Sequence, residues 1–412
     1  MKTMKYISVL LLSLGISQAG PAQSLEVGGF IDSYHAVRLQ DPFDFMSSRS
    51  RLRAELRGMK GHSSLYASVN ANVHNLLPDR TFFELREAYL EYAGSHWDLR
   101  AGRQIIIWGV SDGIRITDII SPMDFTEFLA REYDDIRMPV DAIKFRCFSN
   151  NVKMELVFVP VFQSFIYPTD PRNPWNIFPV SDGGPEVVIA PAKTPPGTLA
   201  SSEFGGRISA FFSGIDLSLV SLYSWNKLPV FSTRFSEGMD TTFLIPEHHR
   251  LFMTGFDLST TLGSLVLRGE GAYFAGEYFP TEINGSSNHL ISRDVIRYLL
   301  GVDWYPGNEW TLTGQLSQTH IIKFCHEMSC ERNHVLATVG ISKKILHSTL
   351  TLSTFGYMDL SAKGFFNRTS LDYSLSDPIH LCAGVDLFGG EGGMFGMYKD
   401  NSEVWIKVKY SF

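Results

Sequence analysis

The strongest constraint on the fold is a two-residue alternation of apolar and polar side chains that recurs along the chain. Within residues 64–74, every second residue from Leu65 to Val73 is apolar, and the residues between them are polar or tyrosine. Residues 310–317 repeat the pattern, and residues 296–304 follow it more loosely. Because successive side chains of a β-strand point to opposite faces, each segment predicts a strand with one apolar and one polar face. A single strand of this kind is compatible with any half-buried sheet. The recurrence of the pattern through the whole chain is not.

The same pattern predicts an all-β fold of about 18 antiparallel strands, with 16 as the alternative. The strands are expected near residues 25–36, 48–59, 63–74, 82–93, 96–108, 141–149, 151–162, 203–213, 215–225, 248–261, 264–277, 294–304, 309–321, 333–344, 348–358, 364–375, 379–389 and 403–412. Short and long connections alternate between them. Short periplasmic turns and long external loops are expected of a transmembrane β-barrel of the outer membrane.

The two ends of the chain support this interpretation. Lys2 and Lys5 precede a short apolar segment, 7–14, and small residues follow, as in a secretory signal peptide. The predicted organisation is therefore a signal peptide over 1–22, cleaved after Ala22 or alternatively after Ala19, and a barrel over 23–412. The last strand alternates strictly and ends with Tyr410 and Phe412, which resembles the signal read by the barrel-assembly machinery.

Composition excludes several function classes. The formal net charge of −7 argues against a nucleic-acid partner, and aromatic residues make up 13% of the chain, as expected of the interfacial girdles of a membrane barrel. No nucleophile elbow, metalloprotease helix, P-loop or dinucleotide fingerprint occurs. The sequence therefore predicts neither an enzyme nor a cofactor-binding protein, and no metal site.

One motif resembles a known family. It consists of Glu87 and Tyr89 in an E-A-Y sequence, then Gly102, Arg103 and Gln104, then Trp108 and Gly109, followed by the segment 121–124. This motif resembles a family of Gram-negative outer-membrane barrels of unknown function, often encoded near RND-type exporters and distantly similar to phosphate-selective and alginate-export porins. Cleavage before Gln23 also resembles exported proteins of Bacteroidetes. The resemblance implies a channel or an exporter component and no particular substrate.

If the apolar face contacts lipid, the polar face lines the lumen. A series of basic residues then points inward: Arg49, Arg51, Arg53, Arg57, Arg100, Lys144 and Arg146. Two roles are open for this basic ladder. The arginines either pair with lumenal carboxylates such as Glu55 and Glu91 and brace the wall, or they form part of an anion-selective path.

The connection 109–140 is long and apolar for an external loop. Ser121 and Pro122 predict the start of a short helix over about 122–132. The acids of this connection are Asp112, Asp118, Asp124, Glu127, Glu132, Asp134 and Asp135. We expect them to oppose the basic ladder, with the loop folded into the lumen as a constriction or plug. The alternative is a helix that caps the barrel from outside.

Two other segments carry predictions. Residues 163–202 are rich in proline and are expected to form an extended external loop. Cys325 and Cys330 lie in a predicted external loop, where oxidising conditions favour a disulfide. A metal site with His320, His326 and His334 is the less favoured alternative, since the spacing matches no zinc pattern.

The leading functional prediction is a porin-like channel for small polar solutes. The first alternative is the outer-membrane component of a system that exports a lipid or hydrophobic compound with an RND-type transporter. The second is a plugged surface receptor or adhesin. The expected partners are outer-membrane lipid, the barrel-assembly machinery during biogenesis, and either an RND-type exporter or further copies of the chain.

Overall fold

The computed structural model describes residues 24–176, 178, 186–236, 238, 240–281 and 289–412. The predicted signal peptide lies outside these residues. The strands in chain order are β1 (Ser24–Arg38), β2 (Phe45–Lys60), β3 (Ser63–His74), β4 (Phe82–Ala93), β5 (Trp97–Gln104), β6 (Val140–Ser149), β7 (Val152–Val159), β8 (Glu186–Ile189), β9 (Glu203–Phe212), β10 (Ile215–Trp225), β11 (Val230–Phe235), β12 (Thr241–Glu247), β13 (Arg250–Leu262), β14 (Leu265–Pro280), β15 (Leu290–Gly307), β16 (Trp310–Ile321), β17 (Asn333–Ile345), β18 (Leu350–Asp359), β19 (Gly364–Ser376), β20 (Ile379–Gly390) and β21 (Glu403–Ser411).

Eighteen of these strands form one antiparallel sheet, in which each strand pairs with its neighbours along the chain. The sheet closes because β1 pairs with β21, with Phe30 opposite Ser411 and Arg38 opposite Glu403. The predicted barrel of 18 strands is confirmed. Closure leaves no unpaired edge in the wall, as a barrel inside a bilayer requires.

The two faces of the wall differ as the alternation predicts. Large apolar side chains are exposed on the outside, among them Leu300, at 70% exposure, and Ile406, at 57%. Polar side chains such as Asn70, Asp303 and Asp386 point inward and are buried. An apolar exterior around a polar interior is the arrangement of a barrel with lipid as its solvent. Among the described helices, none is long and apolar enough to cross a membrane.

The connections between barrel strands divide the barrel into two ends. At one end they are short, such as 61–62 between β2 and β3 and 150–151 between β6 and β7. At the other end they include the segments 105–139, 160–202 and 226–249. Strands β8, β11 and β12, which the sequence did not predict, form a separate three-stranded sheet within these long connections.

The connection from Ile105 to Pro139, here called the lumenal loop, lies inside the barrel. It begins earlier than predicted, because β5 ends at Gln104 and the following Ile106 and Trp108 are buried in the interior. The predicted helix over 122–132 was wrong, since the loop contains one helical turn at Tyr133–Ile136 instead. Asp124 accepts a hydrogen bond from the backbone N–H of Thr126, which makes a local turn, and Phe128 has a positive φ of 43°.

The remaining helical segments are single turns at the long-loop end. They are Pro78–Arg80, Leu199–Ser201, Gly393–Gly396 and Lys399–Asn401. The buried apolar cluster lies in the lumen, between the lumenal loop and the wall, and includes Trp108, Phe128 and Trp405.

Candidate functional site in the barrel lumen

The lumenal loop contacts strands on several sides of the barrel. It forms ion pairs with β2 through Arg49 and with β21 through Lys407. It forms hydrogen bonds with β14 through Glu270 and with β18 through Tyr357. Because β14 lies across the closed sheet from β2 and β21, the loop crosses the lumen.

The first anchor of the loop is Glu270, which is 2% exposed on the inner face of β14. Its Oε1 atom accepts hydrogen bonds from the backbone N–H groups of Val110 and Ser111, both at 2.7 Å. Its Oε2 atom accepts from the backbone N–H of Thr117 at 3.2 Å and from the Thr117 hydroxyl at 3.0 Å. One carboxylate thus binds three backbone N–H groups that a loop in a lumen would otherwise leave unpaired.

The E-A-Y and G-R-Q-x-x-x-W-G residues lie next to this anchor. Glu87 Oε1 accepts from the backbone N–H of Ile105 at 2.9 Å, where the loop leaves β5. The buried indole of Trp108 donates to Glu155 Oε1 on β7 at 2.6 Å. Gly109 has a φ of +89°, and a Cβ at this position would lie 2.8 Å from Glu270 Oε1, so the position requires glycine.

The other motif residues support the wall beneath the loop. The Arg103 guanidinium donates to the carbonyl of Leu85, and the buried Gln104 amide donates to the carbonyl of Ala142. The Arg100 guanidinium lies over the Tyr89 ring, 4.2 Å from its centroid. A Cβ on Gly102, which has a φ of +133°, would approach the carbonyl oxygen of Ala88 to 2.3 Å. The motif therefore fixes the start of the lumenal loop.

The second anchor is Glu127, in the middle of the loop. Its Oε2 lies 3.1 Å from Arg49 Nε, and its Oε1 accepts from the Ser47 hydroxyl at 2.6 Å and lies 3.0 Å from His74 Nε2. Burial alone would raise the pKa of this carboxyl. Arg49 and His74, together with Arg131, outweigh burial and hold the pKa of Glu127 well below its usual range.

The third anchor is Asp135, near the end of the loop. Its two carboxylate oxygens lie 2.9 Å from Arg51 Nη2 and 3.4 Å from Arg53 Nη2. Arg51 Nη2 also lies 2.5 Å from Oδ2 of Asp32 on β1. Burial would raise the pKa of Asp135, but the neighbouring guanidinium groups, those of Arg51 and Arg131 foremost, hold it well below its usual range.

The remaining acids of the lumenal loop and the rest of the basic ladder have partners of several kinds. Two further loop acids bind cations of the wall: Asp112 pairs with Arg268, and Glu132 pairs with Lys407. Two pair with arginines of the loop itself: Asp118 with Arg137, and Asp124 with Arg131. The side chain of Asp134 lies outside the described part of the structure. Three other residues of the basic ladder form ion pairs with carboxylates of the wall: Arg57 with Glu55, Arg100 with Glu91, and Arg146 with Asp98. Lys144 is buried on β6.

An aromatic cluster seals the loop against one side of the lumen. The Phe128 ring stacks on Tyr398, with 4.4 Å between the centroids, and also contacts Phe388 and Trp175. Trp175, which is completely buried, belongs to the proline-rich segment 163–202, and the amide of Asn173 in that segment donates to the carbonyl of Thr126. This part of the segment therefore packs into the barrel mouth on top of the lumenal loop, rather than forming only an external loop.

The predicted disulfide is not formed. Cys325 and Cys330 are both free thiols, as are Cys147 and Cys382. The Cys325 sulfur instead accepts a hydrogen bond from Arg293 Nη2 at 3.6 Å, while Cys330 is exposed. The side chain of Cys325 is thus engaged with β15.

Sequence reasoning missed the wall residues that receive the loop. Glu270, Glu155 and Tyr357 lie within segments predicted as strands, but nothing near them in the sequence names their partners. The one usable signal at Glu270 is a carboxylate at a lumen-facing position of a barrel strand, while its neighbours Gly269 and Gly271 face the other side of the wall, against Leu300 and Phe256.

Comparison with known proteins supports the fold. OccD3 of Pseudomonas aeruginosa superposes with a TM-score of 0.54 at 9% identity, covering 96% of this chain and 92% of that one. OccAB3 of Acinetobacter baumannii gives 0.52 at 12% identity, covering 94% and 99%.

At these identities the likeness shows the fold alone. No curated protein matches the chain. Residues 78–380, which contain the E-A-Y motif, the lumenal loop and most of the barrel wall, match the family described as "Protein of unknown function (DUF1302)". The chain belongs to this family.

Proposed function

We propose that the protein is a porin-like channel that passes small polar solutes across the outer membrane through a lumen narrowed by the lumenal loop. The observation that carries this proposal is the anchoring of that loop across the lumen at Glu270, Glu127 and Asp135. An unobstructed barrel of 18 strands would leave a wide aqueous channel. Because the lumenal loop is bound to several sides of the barrel wall, it reduces that channel to the space left between the loop and the wall.

The basic ladder then has mainly a bracing role. Arg49, Arg51 and Arg53 each lie within ion-pair distance of a carboxylate of the lumenal loop. These pairs join the wall to the loop where charged groups are shielded from water, so the loss of one partner would leave the other charge unpaired. Selectivity among ions would follow from the charges that remain uncompensated beside the loop.

The direct test is insertion of the purified protein into a planar lipid bilayer. We expect stepwise, ohmic increases of current, each smaller than expected for an unobstructed barrel of this size. Folding is checked in parallel by the slower gel mobility of the unheated barrel. Folded protein that inserts without producing current steps would contradict the proposal.

A second candidate is export of a hydrophobic compound together with an RND-type transporter. The observation that favours it is an apolar cavity on the long-loop side of the lumenal loop. The two candidates differ in what copurifies. Stable association with an RND-type transporter, together with bound lipid and no ohmic conductance, would support the second candidate over the first.

A further inference from the structure

The lumen contains a chamber between the lumenal loop and the long-loop end of the barrel. Its volume is about 460 Å³. The lining is largely apolar and comes from the loop, the wall and the connections above: Phe125, Leu129, Leu251, Phe274, Leu336 and Met394. Porin lumens are generally polar and filled with water. An apolar chamber inside the lumen is therefore unusual for a channel that passes only ions and sugars.

The charged side chains that border the chamber are already paired. The Lys227 ammonium lies between both carboxylate oxygens of Glu203, at 2.7 and 2.6 Å. Arg297 Nη2 lies 2.6 Å from Glu277 Oε1. Arg115 donates to the backbone carbonyl of Ser121 and lies 3.5 Å from an Asp118 oxygen. A charged ligand would have to compete with these partners, whereas an uncharged apolar group needs only the exposed lining.

The chamber adjoins a second cavity of about 330 Å³. The second cavity is bordered by Arg131, Arg137 and Arg368. Four residues line both spaces, namely Gly113, Leu129, Tyr133 and Tyr357, so they form the neck between them. The Tyr357 hydroxyl donates to the carbonyl of Gly113 at 3.0 Å, which fixes one side of the neck to the wall.

We infer that the chamber is a selection site for small uncharged solutes that carry an aromatic or alicyclic ring. This inference rests on the proposed channel function and names a class of uncharged solute that the channel favours over sugars. The chamber volume lies within the range of ~300–1,000 Å³ that is typical of sites for small organic molecules. Burial of an apolar ring against Phe125, Leu129 and Leu336 supplies the affinity, and the Tyr357 hydroxyl at the neck, which donates to Gly113, can still accept a hydrogen bond from a single N–H or O–H substituent.

The test compares indole, an uncharged ring with one N–H donor, with D-xylose, an uncharged polar solute, on single channels in a planar bilayer. We expect indole to interrupt the ionic current at a concentration at least about tenfold lower than D-xylose does. Equal effects of the two solutes, or no effect of indole, would overturn the inference. Current steps without block by indole would leave the channel proposal intact.

Two variants and one control locate the effect. Phe125→Gln changes the loop side of the chamber and Leu336→Gln changes the wall side, whereas Tyr66→Gln changes a lumenal aromatic residue next to Tyr89, which does not line the chamber. We expect either chamber variant to weaken indole binding by about tenfold and the control to leave it unchanged.

Calorimetric titration of the detergent-solubilised proteins with indole measures this affinity without any need for conductance. Partition of indole into detergent is common to all four proteins, so the differences between them report the chamber. Saturable binding that is lost in the chamber variants supports the inference. Binding that is absent from the unmodified protein, or equal in all four, overturns it, even if the protein forms no channel.

Discussion

Glu270 and Val110 are separated by 160 residues in the chain, yet the Glu270 carboxylate accepts the Val110 backbone N–H at 2.7 Å inside the barrel. The same carboxylate also binds Ser111 and Thr117. A single side chain of the wall therefore determines where the lumenal loop begins its course across the lumen. This relationship makes the loop part of the barrel interior rather than a surface feature.

Replacement of Glu270 by glutamine tests this anchor. An amide has one acceptor oxygen in place of two, and its NH₂ group would face the N–H donors of the loop. We expect a loss of stability of about 1–3 kcal/mol and noisier, larger single-channel currents than those of the unmodified protein. Glu55→Gln is the matched control, because Glu55 pairs with Arg57 on its own strand. Equal currents in the two variants would argue against a role for Glu270 in holding the loop.

The effect of crowding at Gly109 on stability can be separated from the effect of its backbone conformation. Gly109 and Gly307 have similar positive φ values, +89° and +94°, but only Gly109 has side-chain atoms where a Cβ would lie. We expect Gly109→Ala to lower the free energy of unfolding by about 1–3 kcal/mol more than Gly307→Ala does. Unfolding in denaturant, followed by gel mobility of the barrel, measures the difference. A difference near zero would show that the anchor tolerates a methyl group.

The arginines of β2 differ in what they hold. Arg51 is buried between Asp32 and Asp135, whereas the Arg57 side chain is 63% exposed and contacts Glu55. Loss of one partner of a buried ion pair costs about 3–5 kcal/mol, and an exposed pair contributes under about 1 kcal/mol.

We therefore expect Arg51→Gln to destabilise the barrel strongly and Arg57→Gln to have little effect. The reversal potential in a salt gradient should shift toward cation selectivity for Arg51→Gln, since Asp32 and Asp135 both lose the cation that lies between them. If the reversal potential is unchanged while the stability falls, the ladder is purely structural.

The carboxylate anchors also predict a pH dependence. The pKa values of Glu127 and Asp135 are lowered in the folded protein, so their contribution to stability is fully present above the unfolded carboxyl pKa of about 4. It is lost only as the pH falls through the lower folded values. We expect the single-channel conductance to stay constant from neutral pH down to about pH 4 and to rise only in stronger acid. A rise centred near pH 6 would contradict this assignment to the two carboxylates.

The sequence predicted the wall of this protein well and its interior poorly, for a physical reason. Alternation in segments such as 64–74 arises because one face of each strand contacts lipid and the other contacts water. It can therefore be recognised in the segment itself, without information about distant residues. It therefore located the 18 barrel strands and separated the short turns from the long connections. The short strands β8, β11 and β12 lie outside the wall, where that contrast of solvents is absent.

The course of the lumenal loop depends on contacts with distant residues. Ser121 and Pro122 carry a local signal for a helix. In the folded chain, however, Asp124 accepts a hydrogen bond from Thr126. The Phe128 ring packs in an aromatic cluster against Tyr398 and Trp175. The local signal was therefore overridden by packing with residues far away in the chain. The acids and arginines were visible as two sets, yet the pairing of Glu127 with Arg49 and of Asp135 with Arg51 required the folded barrel.

Narrowing of the passage by the lumenal loop can be measured through the single-channel conductance of a variant in which residues 115–135 are replaced by a short glycine–serine linker. The unmodified protein is measured beside it in the same bilayer and salt. The variant keeps all 18 wall strands, and its folding is checked by gel mobility before insertion. We predict a conductance several times that of the unmodified channel, because the segment that crosses the lumen is gone. An unchanged conductance from a folded variant would contradict the account.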